Sequence, residues 1–87
     1  MKRRVVITGL GIVSPVGNDI DTAWDNIING RSGIAQVTRF DASVLNSQIA
    51  GEVKGFDITE HMGSKEARQM DTFIHYGVVA GLQAWRD

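Results

Sequence analysis

Four places in this 87-residue chain carry residue types whose spacing could do chemistry. The first is Gly9-Leu10-Gly11, which follows the apolar run Val5-Val6-Ile7-Thr8. A strand that opens into closely spaced glycines is how a dinucleotide fold brings its backbone up to a pyrophosphate. That fingerprint needs a third glycine at position 14 and a helix starting at once. Position 14 is Ser14 and Pro15 follows, so the glycines read as tight-turn residues where backbone can approach backbone. The second place, Ser14 itself, lies outside any G-x-S-x-G elbow and has no histidine near it in sequence. Its hydroxyl is expected to satisfy loop backbone. The third is the pair His61 and His75, too few and too far apart for a zinc pattern. His75, beside Tyr76, reads as a satisfied histidine rather than a base, and His61 as a polar loop residue.

Lys65 and Arg68 make the fourth place. They are three residues apart, so on a short helix they share a face. Two cations so placed can grip a phosphate or a carboxylate-rich helix. Glu66 and Asp71 stand close by in sequence, and an ordinary solvated face is the plainer reading of the residues alone.

The elements that must position these residues are only partly periodic. Val5–Thr8 is β-branched without polar alternation, the pattern of a strand buried on both faces in a sheet covered by helices. Such a strand needs strands beside it and helices above and below, which a chain this short can hardly provide. Asn18 is placed as an N-cap, with Asp19 and Asp21 in the first turn where the helix dipole favours negative charge. Ile20, Trp24, Ile27 and Ile28 then form one apolar stripe, and Asn29-Gly30 closes a helix over 19–29. Trp24 is expected to seal that helix onto its neighbours. Residues 31–47 read as irregular, Ile49–Val53 as a short edge strand, and Lys65–Gln69 as a short polar helix capped by Ser64.

Met70–Trp85 predicts a longer helix, apolar around most of its circumference, of the kind found inside a larger protein. Gly77 and Gly81 fall on one face with Ala84 nearby, where another backbone is expected to come near and offset the cost of glycine in a helix. The chain reaches Asp87 with no capping glycine, which reads as a cut end.

Composition narrows the function classes. With 43% hydrophobic and 22% charged residues the chain is globular rather than disordered. Nine Lys or Arg against ten Asp or Glu give no electrostatic reason to expect nucleic acid or an acidic membrane as partner. No cysteine is present, so these residues offer no thiolate nucleophile, disulfide or cysteine metal site, and the histidine spacing offers no other metal site. The apolar run after Lys2-Arg3-Arg4 is too short for a secretory signal, and no run reaches the length of a membrane span. A cytoplasmic setting is the expectation.

These motifs, taken together, resemble a family. Arg3-Arg4-Val5-Val6-Ile7-Thr8-Gly9-Leu10-Gly11-Ile12-Val13-Ser14-Pro15-Val16-Gly17-Asn18 is similar to the amino terminus of the β-ketoacyl-acyl-carrier-protein synthases. So are Trp24, Gly30-Arg31-Ser32-Gly33-Ile34, Arg39-Phe40-Asp41 and Ala50-Gly51-Glu52-Val53-Lys54. Lys65-Glu66-Ala67-Arg68-Gln69-Met70-Asp71 with Phe73-Ile74-His75-Tyr76-Gly77 looks like the synthase II branch in particular.

The resemblance implies an α/β, thiolase-like fold with layered αβαβα architecture. This chain would supply the first strand, amphipathic helices and an edge strand of the N-terminal half, so that 1–87 form an incomplete ketosynthase domain. It implies a homodimer when intact, no cofactor, and an acyltransferase of fatty acid synthesis that works by decarboxylative Claisen condensation. There an acyl chain passes from acyl carrier protein to a cysteine, and two histidines stabilise the developing charge. The cysteine and the histidine motifs are missing from these 87 residues, so no catalytic residue is assigned and the segment alone is expected to be inactive. In the synthase II pattern the short basic helix is part of the docking surface for the acidic carrier protein. Lys65 and Arg68 match basic positions there, whereas Gln69 stands where relatives often have another lysine. The competing class is a non-catalytic module, kept for carrier or partner binding. Expected partners are therefore acyl carrier protein and the rest of a ketosynthase chain, with no nucleic acid and no membrane.

Overall fold

The computed structural model describes residues 2–87. In chain order the elements are helix α1 (Ile20–Ile28), strand β1 (Ile34–Gln36), strand β2 (Ile49–Gly51), a 3-10 turn (Ile58–Glu60), helix α2 (Ser64–Arg68) and helix α3 (Thr72–Arg86). The chain is α/β, with one antiparallel two-stranded ribbon that pairs Ile34 with Gly51, Ala35 with Ala50 and Gln36 with Ile49.

Helices α1 and α3 each start where a carboxylate satisfies a first-turn amide. For α1 the cap is Asp19, one residue later than expected, because its carboxylate accepts from the Thr22 amide at 2.8 Å. That bond holds the Asp19 carboxyl below its ordinary pKa. Asn18 is drawn elsewhere: its side-chain amide donates to the Lys54 carbonyl at 2.8 Å, tying the loop before α1 to the segment after β2. Gly30, with φ of +68°, ends α1 in the left-handed region that glycine occupies without strain. Helix α3 begins at Thr72 rather than Met70 because Asp71 caps it, accepting from the Thr72 amide. Helix α2 starts after Gly63 and has no side-chain cap, so Ser64 is its first residue and not its cap.

The doubly buried strand expected at Val5–Thr8 is not formed. Among the described residues no strand pairs with it, and Val5 is 92% exposed. A strand is defined by its neighbours, and here β1 and β2 pair only with each other. The residues after it do find a partner, on α3. The Leu10 amide donates to Asp87 Oδ2 and the Ile12 amide to Gln83 Oε1, both at 3.0 Å. A Cβ at Gly9 would collide with the Ala84 carbonyl, and one at Gly11 with the Ala80 carbonyl. These glycines serve close backbone approach, as their types suggested.

The same helix corrects another expectation. Outside α3 itself, nothing in the described residues lies within 4 Å of where a Cβ on Gly77 or Gly81 would sit; the close approach is made at Ala84, as expected, and at Ala80. The apolar circumference of α3 is correspondingly uncovered. Val79 is 2% exposed while Phe73 and Trp85 are largely open to solvent.

The core is small, consisting of Ala23, Ala42, Ala67 and Val79. On α1, Ala23 takes the buried position expected of Trp24, and Trp24 is 61% exposed together with Ile27 and Ile28. No described residue is placed to cover that stripe. Residues 31–47, expected to be irregular, contain β1, and the edge strand is shorter than Ile49–Val53. The strand stops at Gly51, opposite the first residue of β1, and Glu52 beyond it turns its carboxylate to the loop after β1. It accepts from the Thr38 hydroxyl at 2.8 Å and from the Thr38 and Arg39 amides.

Candidate functional site: the basic helix

Helix α2 is a five-residue helix wedged between the 3-10 turn and the start of α3. It turns Ala67 inward, 6% exposed, and leaves Lys65 and Arg68 on the outside. Neither cation makes a hydrogen bond or an ion pair among the described residues, where Arg31 to Asp25 at 3.0 Å is the one salt bridge. The two acids that might have neutralised them do not. Glu66 lies in the helix's own first turn, where the dipole favours it, and Asp71 is occupied in capping α3. Two cations thus stand free on adjacent turns of one exposed face, a geometry suited to a multiply charged anionic surface.

What holds α2 is legible from its contacts. Nε2 of His75, one turn into α3, lies 2.8 Å from the Ala67 carbonyl oxygen. A carbonyl only accepts, so the ring presents Nε2–H to it. His75 is therefore a satisfied histidine, as its sequence context indicated. His61 stacks on Phe56 with centroids 6.4 Å apart, and Phe56 meets the Tyr76 ring edge-on at 5.1 Å.

Sequence reasoning missed the group that locks this corner to the ribbon. Arg39 donates to the Tyr76 hydroxyl at 2.8 Å and to the Val53 carbonyl at 3.2 Å. The Thr38 hydroxyl, with the neighbouring amides, also keeps the Glu52 carboxyl below its usual range. These residues are separated by long stretches of chain and share no periodicity, so spacing could not have paired them.

The other candidates carry no chemistry. Ser14 Oγ donates to the Gly17 carbonyl at 3.1 Å and accepts from the Val16 amide at 3.3 Å, which is the loop role expected of it. A groove of about 490 Å³ runs from Ser14 past Asn18 to Arg31 and Lys54, and its lining includes no histidine. Among the described residues no group of His, Cys, Asp and Glu could hold a metal ion, and no helix is long and apolar enough to cross a membrane.

Comparison with known proteins now bears on α2. The family model described as "Beta-ketoacyl synthase, N-terminal domain" matches residues 2–87. The 3-oxoacyl-[acyl-carrier-protein] synthase 2 of Vibrio harveyi is 51% identical over 86 residues, 99% of this chain and 21% of that protein. The same-named protein of Vibrio cholerae serotype O1 is 49% identical over 86 residues, with the same coverage. That of Staphylococcus aureus strain COL is 47% identical over 85 residues, 98% of this chain and 20% of that protein. The chain spans about one-fifth of the length of these curated relatives. On this match along nearly its whole length, the chain belongs to the β-ketoacyl synthase family, in the region of the N-terminal domain.

Proposed function

We propose that these residues serve a 3-oxoacyl-[acyl-carrier-protein] synthase of type 2, and that α2 is part of the surface on which its acyl carrier protein docks. The synthase elongates acyl chains in fatty acid synthesis by decarboxylative condensation, within a thiolase-like, layered fold that works as a homodimer. In that reading 1–87 form the opening part of the ketosynthase domain, and the nucleophilic cysteine and paired histidines lie outside these residues. The contribution of 1–87 is then recognition rather than bond-making.

The observation that carries this is the pair Lys65 and Arg68, exposed and unpaired on one face of α2. The relatives' names state a carrier-protein-bound product, and a carrier of acidic surface would be steered to such a face. Contacts of this kind act mainly on association and weaken with salt. The test is Lys65→Glu with Arg68→Glu in a full-length synthase carrying this segment. The dissociation constant for acyl carrier protein should rise by about tenfold or more at low salt, since a like charge then faces the carrier. The gap between variant and parent should narrow at high salt. Unchanged carrier affinity at low salt would overturn the docking assignment.

A further inference from the structure

Helix α2 cannot hold itself. Five residues form a little over one turn, far below the length at which a helix persists alone. Its first amides have no side-chain cap, because the residue before it is Gly63. Its inward anchor is the buried Ala67, and its few backbone bonds include Ala67 N to Gly63 O at 3.0 Å, Gln69 N to Glu66 O at 3.1 Å and Met70 N to Ala67 O at 3.3 Å. Against that background one side-chain bond from outside the helix stands out. The His75 ring meets the Ala67 carbonyl at 2.8 Å, from a fifteen-residue helix that Asp71 caps and Gly9–Ile12 brace near its far end.

The position of the bond matters more than its strength. The Ala67 carbonyl belongs to the peptide that leads directly into Arg68, and Lys65 is two residues before it. Both cations are long, exposed and otherwise unrestrained, so their aim depends on the backbone that carries them. A docking face with a fixed backbone loses less freedom when a partner binds than one that must order first.

We infer that His75 is a positioning residue for the carrier-docking face. Through Nε2–H to the Ala67 carbonyl it references α2 to α3 and holds Lys65 and Arg68 in one orientation. This rests on the docking reading of α2, and it adds a residue that touches no carrier. The side chain that best replaces it is glutamine, whose Nε2 amide can reach the same carbonyl. Asparagine is too short, and leucine fills the space without donating.

The experiment measures dissociation constants for fluorescently labelled acyl carrier protein at low salt, using a full-length synthase that carries this segment. His75→Leu and His75→Asn should each weaken binding about two- to tenfold, the span of one net hydrogen bond. His75→Gln should recover most of it. In the Lys65→Glu/Arg68→Glu background, His75→Asn should change binding by less than about twofold, because a face that no longer binds gains nothing from being held. A merely structural role would give effects that multiply across the two backgrounds. Parental affinity in both His75→Leu and His75→Asn, failure of His75→Gln to recover it, or multiplying effects would each overturn the inference. If His75→Leu does not fold, the contrast between His75→Asn and His75→Gln decides alone. Charge reversal without effect would instead sink the docking reading itself, so the two failures are distinguishable.

Discussion

At the residue scale, the glycines show most plainly how side-chain size is dictated. Gly11 sits where a methyl group would meet the Ala80 carbonyl, which belongs to helix backbone and cannot rotate away. Gly11→Ala should therefore push the segment off α3, break the Ile12 amide bond to Gln83, and cost about 1–3 kcal/mol by overpacking. A lowered thermal midpoint of the full-length synthase, by at least a few degrees, is the expected reading; an unchanged midpoint would show that the segment lies elsewhere in the assembled protein. The purpose of Gly9 and Gly11 was legible in the sequence, because glycine after an apolar run means close approach. Their partner was not, since nothing in the spacing of Ala80 and Ala84 points to residues some seventy positions earlier. Lys65 and Arg68 were legible as a face for the opposite reason: helix geometry places neighbours three apart side by side. The role of His75 needed the break at Met70-Asp71, after which the first turn of α3 brings the His75 ring to the Ala67 carbonyl, and no periodicity announces that break.

At the element scale, caps and turns decide the boundaries. The three helices were readable from apolar spacing and short polar residues, with ends shifted by one or two positions where a carboxylate captured an amide. Strand β1 was unreadable, because Ile34-Ala35-Gln36 is too short to show alternation and exposes every residue. What orders its far end is Glu52, and this has a pH signature. Its folded carboxyl lies below the ordinary value of 4.5, chiefly because the Thr38 hydroxyl donates to the charged form. A group with a depressed pKa stabilises the fold above its ordinary value, and that stabilisation is lost as pH falls through the depressed one. Replacing Glu52 by Gln should lower the urea midpoint of the full-length synthase at pH 7. The difference from the parent should shrink as the pH drops below the carboxylate range. A difference that stays constant with pH would mean the charge of Glu52 contributes nothing and only its shape matters.

For the molecule as a whole, extent and surface say more than any single contact. The radius of gyration is 16.2 Å, against about 12 Å for a folded domain of this length. The accessible surface is 7085 Å², where a folded monomer of this size exposes about 5,000 Å². Large apolar side chains stand in that surface: Val5 and Ile7, the Trp24–Ile28 face of α1, Phe40 and Val44, and Phe73 and Trp85 on α3. Surface of this kind drives association. The isolated 87-residue polypeptide should accordingly bind a hydrophobic dye, and its weight-average mass in sedimentation should rise with concentration. A monodisperse monomer with a sharp, cooperative melt would refute this. Local signals at Val5–Thr8 pointed to a buried strand that the structure leaves open. Val5–Thr8 has the composition of a central strand, and composition records what a segment packs against wherever that partner lies.

The contact between Gly9–Ile12 and α3 has a metric consequence. Gly9 faces Ala84 and Gly11 faces Ala80, while Leu10 bonds Asp87 and Ile12 bonds Gln83. In both series, two steps along the segment answer four steps along the helix in the opposite direction. Extended chain advances about 6.6 Å in two residues and a helix about 6.0 Å in four, so the two scales stay nearly commensurate over this span. They act as a ruler read against a ruler, with glycines as the only graduations that fit. A slip by one notch would set Ile7 or Val13 against a carbonyl that admits no side chain at all. Single-residue insertions between Gly9 and Gly11 should thus be far less tolerated than insertions in the Phe40–Gln48 loop, where no second scale has to be matched.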